Sequence, residues 1–172
     1  MITIEAGSMS SVEILNSAIY NEKLAADHYL SLADLCLRAG NQIVAKFFKD
    51  QSDRERGHYN RLLKLKTSGH GSKGPALGEN VRWVVAETGV GAQVSPDITV
   101  DAALQLVEDR EKDAAEFYSV VGGKTTDKAL ADIFKTLADE EAHHQYLAKT
   151  LRSRLEQKGV LEEVDYVDLG FE

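Results

Sequence analysis

The chain has 172 residues, 43% hydrophobic and 28% charged, which suffices for a single domain over residues 1–172 with its own core. A net charge of −8 disfavours nucleic acid or an anionic membrane as partner. Cys36 is the only cysteine, so no intramolecular disulfide and no Cys-x-x-Cys metal site can form, and no apolar run approaches the ~20 residues needed to span a bilayer.

The opening residues, Met1 to Ser10, have neither the basic region nor the apolar stretch of a signal peptide, so a cytoplasmic, reducing location is expected. A first helix is predicted over about residues 10–39, with Ser10 or Ser11 as N-cap and Glu13 in the first turn. Its apolar stripe includes Leu15, Ala18, Ile19, Ala25, Tyr29, Leu32 and Cys36, the last read as a small packing residue, and Gly40 ends it. A second helix follows over about 42–67, with Val44, Phe47, Phe48, Leu62 and Leu65 inward. The link at Gly40 is short, so these two form an antiparallel hairpin.

Residues 68–98 hold both prolines, six of the thirteen glycines (69, 71, 74, 78, 89 and 91) and the only tryptophan. They read as a long crossover with a short helix over Glu79 to Glu87 anchored by Trp83. A third helix is predicted over about 99–121, closing at Gly122-Gly123, and a fourth over about 126–157, stopping before Gly159. The tail, Val160 to Glu172, reads as an extended strap. Hairpin, crossover and hairpin make an all-α four-helix bundle with one long connection.

The two halves repeat. Asn21-Glu22-Lys23 through Tyr29 is similar to Arg110-Glu111-Lys112 through Tyr118, and Phe48-Lys49 leading to Glu55 is similar to Phe134-Lys135 leading to Glu141. Residues seven apart share a helix face, and each of these glutamates stands where a core residue belongs. Leu15 and Tyr29 flank Glu22, Phe48 and Leu62 flank Glu55, Leu104 and Tyr118 flank Glu111, and Phe134 and Ala148 flank Glu141. An unpaired buried carboxylate costs several kcal/mol, and a shared polyvalent cation removes that cost.

Two histidines extend the pattern. Glu55-x-x-His58 and Glu141-x-x-His144 each place an oxygen donor and an imidazole one turn apart, a set suited to iron or manganese. The two motifs belong to opposite hairpins, so Glu55 and Glu141 are expected to bridge a pair of metals. Glu108 joins the candidates because it lies one turn from Glu111 and because 141 − 108 and 55 − 22 are both 33, although its seven-residue neighbours are Asp101 and Ala115. Glu140-x-x-His143 also fits the motif, but Thr136 and Thr150 flank His143, which favours Glu141 and His144. Tyr29 and Tyr118 are candidate donors to the carboxylates or plain core residues. His28 and His70 have no comparable company and read as surface residues.

At these positions the sequence resembles the erythrin-type ferritin-like proteins, especially the rubrerythrins, over about residues 12–155. The resemblance implies a ferritin-like fold, two iron ions and no haem, with Glu22, Glu55, Glu108 and Glu141 as shared ligands and His58 and His144 as imidazole ligands. It also implies that Glu111 is the additional glutamate separating rubrerythrins from bacterioferritins, one that exchanges with His58 as the iron changes oxidation state. The implied activity is reduction of hydrogen peroxide, or reaction with oxygen, in defence against oxidative stress. No rubredoxin module occurs in this sequence, so a separate electron-donor protein is expected, and the chain is expected to be a homodimer. Ferroxidase and iron handling of the bacterioferritin kind is the alternative, although Arg56 stands where that family has a haem-ligating methionine. A non-catalytic, metal-stabilised bundle is the third reading.

Overall fold

The computed structural model describes residues 10–70, 95, 97–125, 127–159 and 161. Among them stand four helices, α1 (Ser11–Arg38), α2 (Gln42–Thr67), α3 (Val100–Lys124) and α4 (Lys128–Lys158). α1 packs along α2 and α3 along α4, forming the two antiparallel hairpins of a four-helix bundle. The crossover helix expected around Trp83 lies outside the described residues. Of the tail strap expected over 160–172 only Leu161 is described, and it is buried in the core. No helix among the described residues is long and apolar enough to cross a membrane.

Local chemistry sets the helix ends. At the start of α1, Ser10 Oγ accepts from Glu13 N while Ser10 N donates to the Glu13 carboxylate, a reciprocal capping box. Its other end turns through Gly40 at φ +81, where a side chain would be strained, and Asn41 N donates back to Cys36 O at 2.9 Å. The expected stop of α3 at Gly122-Gly123 is corrected: the helix runs through both to Lys124. A Cβ on Gly122 would lie 3.2 Å from Phe134 Cβ, so this glycine lets α4 approach closely instead of ending the helix.

Asp127 caps α4 by accepting from Ala129 N at 2.9 Å and Leu130 N at 3.3 Å. It also faces His70 Nδ1 at 3.3 Å, so His70 has a partner where none was expected, and the end of α2 is tied to the start of α4. Asp127→Ala is expected to destabilise the protein by about 1 kcal/mol, the ordinary worth of an N-cap. Chemical denaturation measures this, and an unchanged midpoint would show that the cap contributes nothing.

The core is two apolar clusters. One gathers Leu32 and Cys36 of α1, Phe48 of α2, Leu104 of α3 and Leu151 of α4. The other gathers Leu15, Leu62, Val121, Phe134 and Leu137. Each helix feeds both clusters and carries polar residues between them: Glu22 on α1, Glu55 and His58 on α2, Glu111 on α3, Glu141 and His144 on α4. α2 therefore ends beside the second cluster while α3 begins beside the first. The connection joins opposite ends of helices roughly 40 Å long, which accounts for its length.

Candidate metal centre

Between the apolar clusters the four helices bring their acids and imidazoles to one place. Glu22, Glu55, His58 and Glu141, all buried, each offer a ligand atom within 4.8 Å of the others, and His58, Glu141 and His144 form a second such group. Glu141 and His58 belong to both groups. His58 Nδ1 lies 2.7 Å from Glu141 Oε1, 3.4 Å from Glu22 Oε2 and 3.5 Å from Glu55 Oε2. His144 Nδ1 lies 3.1 Å from the other oxygen, Glu141 Oε2. The two imidazoles stack with centroids 5.7 Å apart.

The protons of this cluster are distributed unevenly. Burial raises the Glu22 carboxyl well above the ordinary range, with the Glu55 charge adding to it and His58 opposing. Glu111 is raised likewise, first by burial and then by the charges of Glu55 and Glu141. Burial would raise Glu141 too, but the His144 and His58 imidazoles against its two oxygens bring it below its usual value. His58 moves the other way: burial would lower it, and contacts with Glu141, Glu22 and Glu55 more than reverse that. Glu22 Oε2, Glu141 Oε1 and His58 Nδ1 are buried and face one another, yet none of their contacts has hydrogen-bond geometry, the 2.7 Å approach of His58 Nδ1 to Glu141 Oε1 included. Orphaned groups of this kind typically cost about 1–3 kcal/mol each, and here they converge on one point.

Two tyrosines link the hairpins reciprocally. Tyr29 of α1 donates to Glu111 Oε1 of α3 at 3.2 Å, and Tyr118 of α3 donates to Glu22 Oε1 of α1. Burial holds both phenols well above their usual pKa, so they stay donors. Glu111 lies outside both ligand groups, but the charges of Glu55 and Glu141 act on it, so it borders the cluster. The register is that of the internal repeat, Glu22 with Glu111 and Tyr29 with Tyr118.

Glu108 is placed apart. Arg152 donates to its Oε2 at 2.9 Å and also to Asp101 Oδ1 at 3.0 Å, which fastens α4 to α3 beside the centre. In the repeat Glu108 occupies the position of Ile19, one turn before the glutamate that faces inward. Glu140 and His143 lie outside both ligand groups: His143 is exposed, and Arg61 grips Glu140 through both of its oxygens. His28 is corrected from a surface residue to a half-buried one, its imidazole pulled down to about 4 by burial and by the Arg110 charge.

Arg110 is a residue that helix periodicity did not single out. Its guanidinium sits 4.3 Å from the centre of the Tyr29 ring, a cation over an aromatic face behind the tyrosine that holds Glu111. The only sequence signal was its repeat position, where it replaces Asn21.

Carboxylates and imidazoles gathered in the core of four helices define a class, helical bundles with a candidate metal centre at the waist. The chain belongs to the rubrerythrin family, whose sequence model, Rubrerythrin, matches residues 13–152. No curated protein and no solved structure matched the chain.

Proposed function

We propose that the protein is a di-iron oxidoreductase that reduces hydrogen peroxide to water with electrons from a separate donor protein. The observation that carries the metal reading is the convergence, within 4.8 Å of one another, of buried ligand atoms from Glu22, Glu55, His58 and Glu141, three of which have no hydrogen bond of good geometry. Two divalent cations would match the charge of the four carboxylates Glu22, Glu55, Glu111 and Glu141, and a donor set of oxygen and imidazole nitrogen without thiolate suits iron. Family membership and the resemblance at the ligand positions support the peroxide chemistry.

In this reading Glu22, Glu55, Glu141, His58 and His144 would hold the metals. Bound iron supplies a redox centre and a Lewis acid for the oxidant's oxygen. Tyr118 and Tyr29 fix Glu22 and Glu111 by donating to them, and the apolar clusters above and below keep bulk water from the belt.

The test compares anaerobically reduced, iron-loaded protein with apoprotein. The loaded protein is expected to consume peroxide when a reductant is supplied. Equal rates for the two forms would defeat the oxidoreductase reading. Absorption edges recorded by anomalous scattering distinguish iron from manganese.

One observation favours the second reading, ferroxidase. With Glu108 engaged by Arg152, the centre carries one glutamate from each of α1 and α3, without an additional one. Oxidation of ferrous iron by oxygen well beyond about two equivalents per chain would select that reading, since a metal pair alone accounts for about two. Size-exclusion chromatography separates the proposed homodimer from a storage shell.

A pH dependence follows from the protons on the metal-free site. Glu22 and Glu111 have raised pKa values and hold protons at a pH where free glutamate has none. Metal must displace those protons, so apparent affinity rises with pH and falls as acid is added. Calorimetric titration with Co(II) in two buffers of different ionisation enthalpy is expected to show net proton release from Glu22, Glu111 and His58, whose pKa values are all raised. Buffer-independent heats would contradict a protonated site.

A further inference from the structure

Behind the ligands the two halves of the bundle differ. His58 turns Nδ1 to the ligand group and Nε2 outward, where Glu140 Oε2 of α4 lies 3.4 Å away. Glu140 is in turn held by Arg61, one turn beyond His58 on α2, with Nη1 donating to Oε1 at 2.8 Å and Nη2 to Oε2. A guanidinium gripping both oxygens fixes the plane of the carboxylate as well as its position.

The internal repeat shows how the equivalent positions of the other half differ. Glu55 and His58 correspond to Glu141 and His144, so Glu140 corresponds to Arg54 and Arg61 to Leu147. Leu147 is a buried core residue. A guanidinium has donors only, so Arg54 cannot accept a proton from an imidazole, whatever else it contacts. The approximate twofold that pairs the ligands is broken one layer out.

We infer that Glu140, clamped by Arg61, is a positioning residue for His58: it holds the proton on Nε2, keeps the Nδ1 lone pair aimed at the ligand group, and makes the metal position served by His58 the tighter of two. A carboxylate behind a ligating imidazole fixes its tautomer and raises its basicity, and such partners are typically worth about 10–100-fold in metal affinity. The inference rests on the di-metal reading above.

The test titrates apoprotein with Co(II), followed by calorimetry and by visible absorption. Wild-type protein is expected to take up about two equivalents in two unequal steps. Glu140→Gln should weaken the tighter step by about tenfold or more and leave the weaker step and the stoichiometry in place. Arg61→Ala should weaken the same step by less, with Arg61→Lys between it and wild type. An N–H resonance of the His58 ring, shifted by cobalt, should exchange with solvent faster in Glu140→Gln than in wild type, a signature that a merely structural role for Glu140 would not give.

If wild-type protein binds fewer than about two equivalents, the di-metal reading itself falls. If it binds two, and Glu140→Gln leaves both steps unchanged or weakens them equally, the positioning role is overturned while the di-metal reading stands. Thermal melts of the apoproteins identify a variant that has lost its fold, and in that case Arg61→Lys, which keeps the charge, decides the question.

Discussion

Replacing Glu141 by alanine is expected to abolish tight binding at both proposed metal positions, lowering affinity by on the order of a hundredfold or more while leaving the helices folded. Each of its oxygens faces a different imidazole, Oε1 toward His58 and Oε2 toward His144, and it is the one acid common to both ligand groups. Loss of a ligand should exceed the ~10–100-fold typical of losing an outer partner. The metal-free protein should suffer less, because Glu22 and Glu55 still face His58 and four carboxylates no longer crowd one belt. A change of about 1–3 kcal/mol is the scale for stranding the imidazole partners of a buried acid. Elemental analysis after anaerobic loading, set beside a melt of the apoprotein, separates the two effects. A folded variant that retains about two equivalents would remove Glu141 from the shared position.

The helix pairing and the faces turned inward were legible because each of the four inward acids had apolar residues seven positions away. Leu15 and Tyr29 around Glu22, and Phe134 and Ala148 around Glu141, set a face that the tertiary packing keeps, and both glutamates are buried. The same rule already weighed against Glu108, whose neighbours are Asp101 and Ala115. The spacing of 33 residues pulled the other way. Spacing between acids on successive helices depends on the length of the turn as well as on the site. By the repeat register, Glu111 is the partner of Glu22, and it precedes Glu141 by 141 − 111 = 30 residues, three fewer than in the first hairpin. Counting 33 back from Glu141 therefore lands one turn early, on a residue engaged by Arg152.

What periodicity could not supply was the neighbour across the interface. A helix pattern tells which way a side chain leaves its own axis, and a long arginine chooses its partner from another helix. Arg61 on Glu140, Arg152 on Glu108 and Arg110 over Tyr29 all belong to this kind, and none has a spacing rule. The reciprocal tyrosines lie between the two cases. Their faces followed from the stripe, but their donation across from α1 to α3 and back required the two hairpins to be placed together. The end of α3 shows the same limit, since a glycine pair reads as a stop unless the close approach of Phe134 is known.

The fourth helix offers two adjacent histidines, and His144→Ala is expected to lose one metal or weaken it by tenfold or more, whereas His143→Ala should keep both. His144 is buried, stacked on the His58 ring, with Nδ1 3.1 Å from Glu141 Oε2. One residue along a helix is a rotation of about 100°, and this carries His143 to the outside, where it is exposed and stacks with the exposed Tyr146. A ring on that face cannot reach the belt without unwinding α4, and the apolar contacts of Leu137, Leu147 and Leu151 hold the helix in register. Among the described residues α4 supplies no other buried imidazole, so nothing on that helix can replace His144. Metal content after loading, with Co(II) absorption as a measure of coordination number, reads the outcome. Loss of metal in His143→Ala together with retention in His144→Ala would require α4 to be turned by one residue, which would bring Glu140 inward in place of Glu141 and dissolve its grip on Arg61.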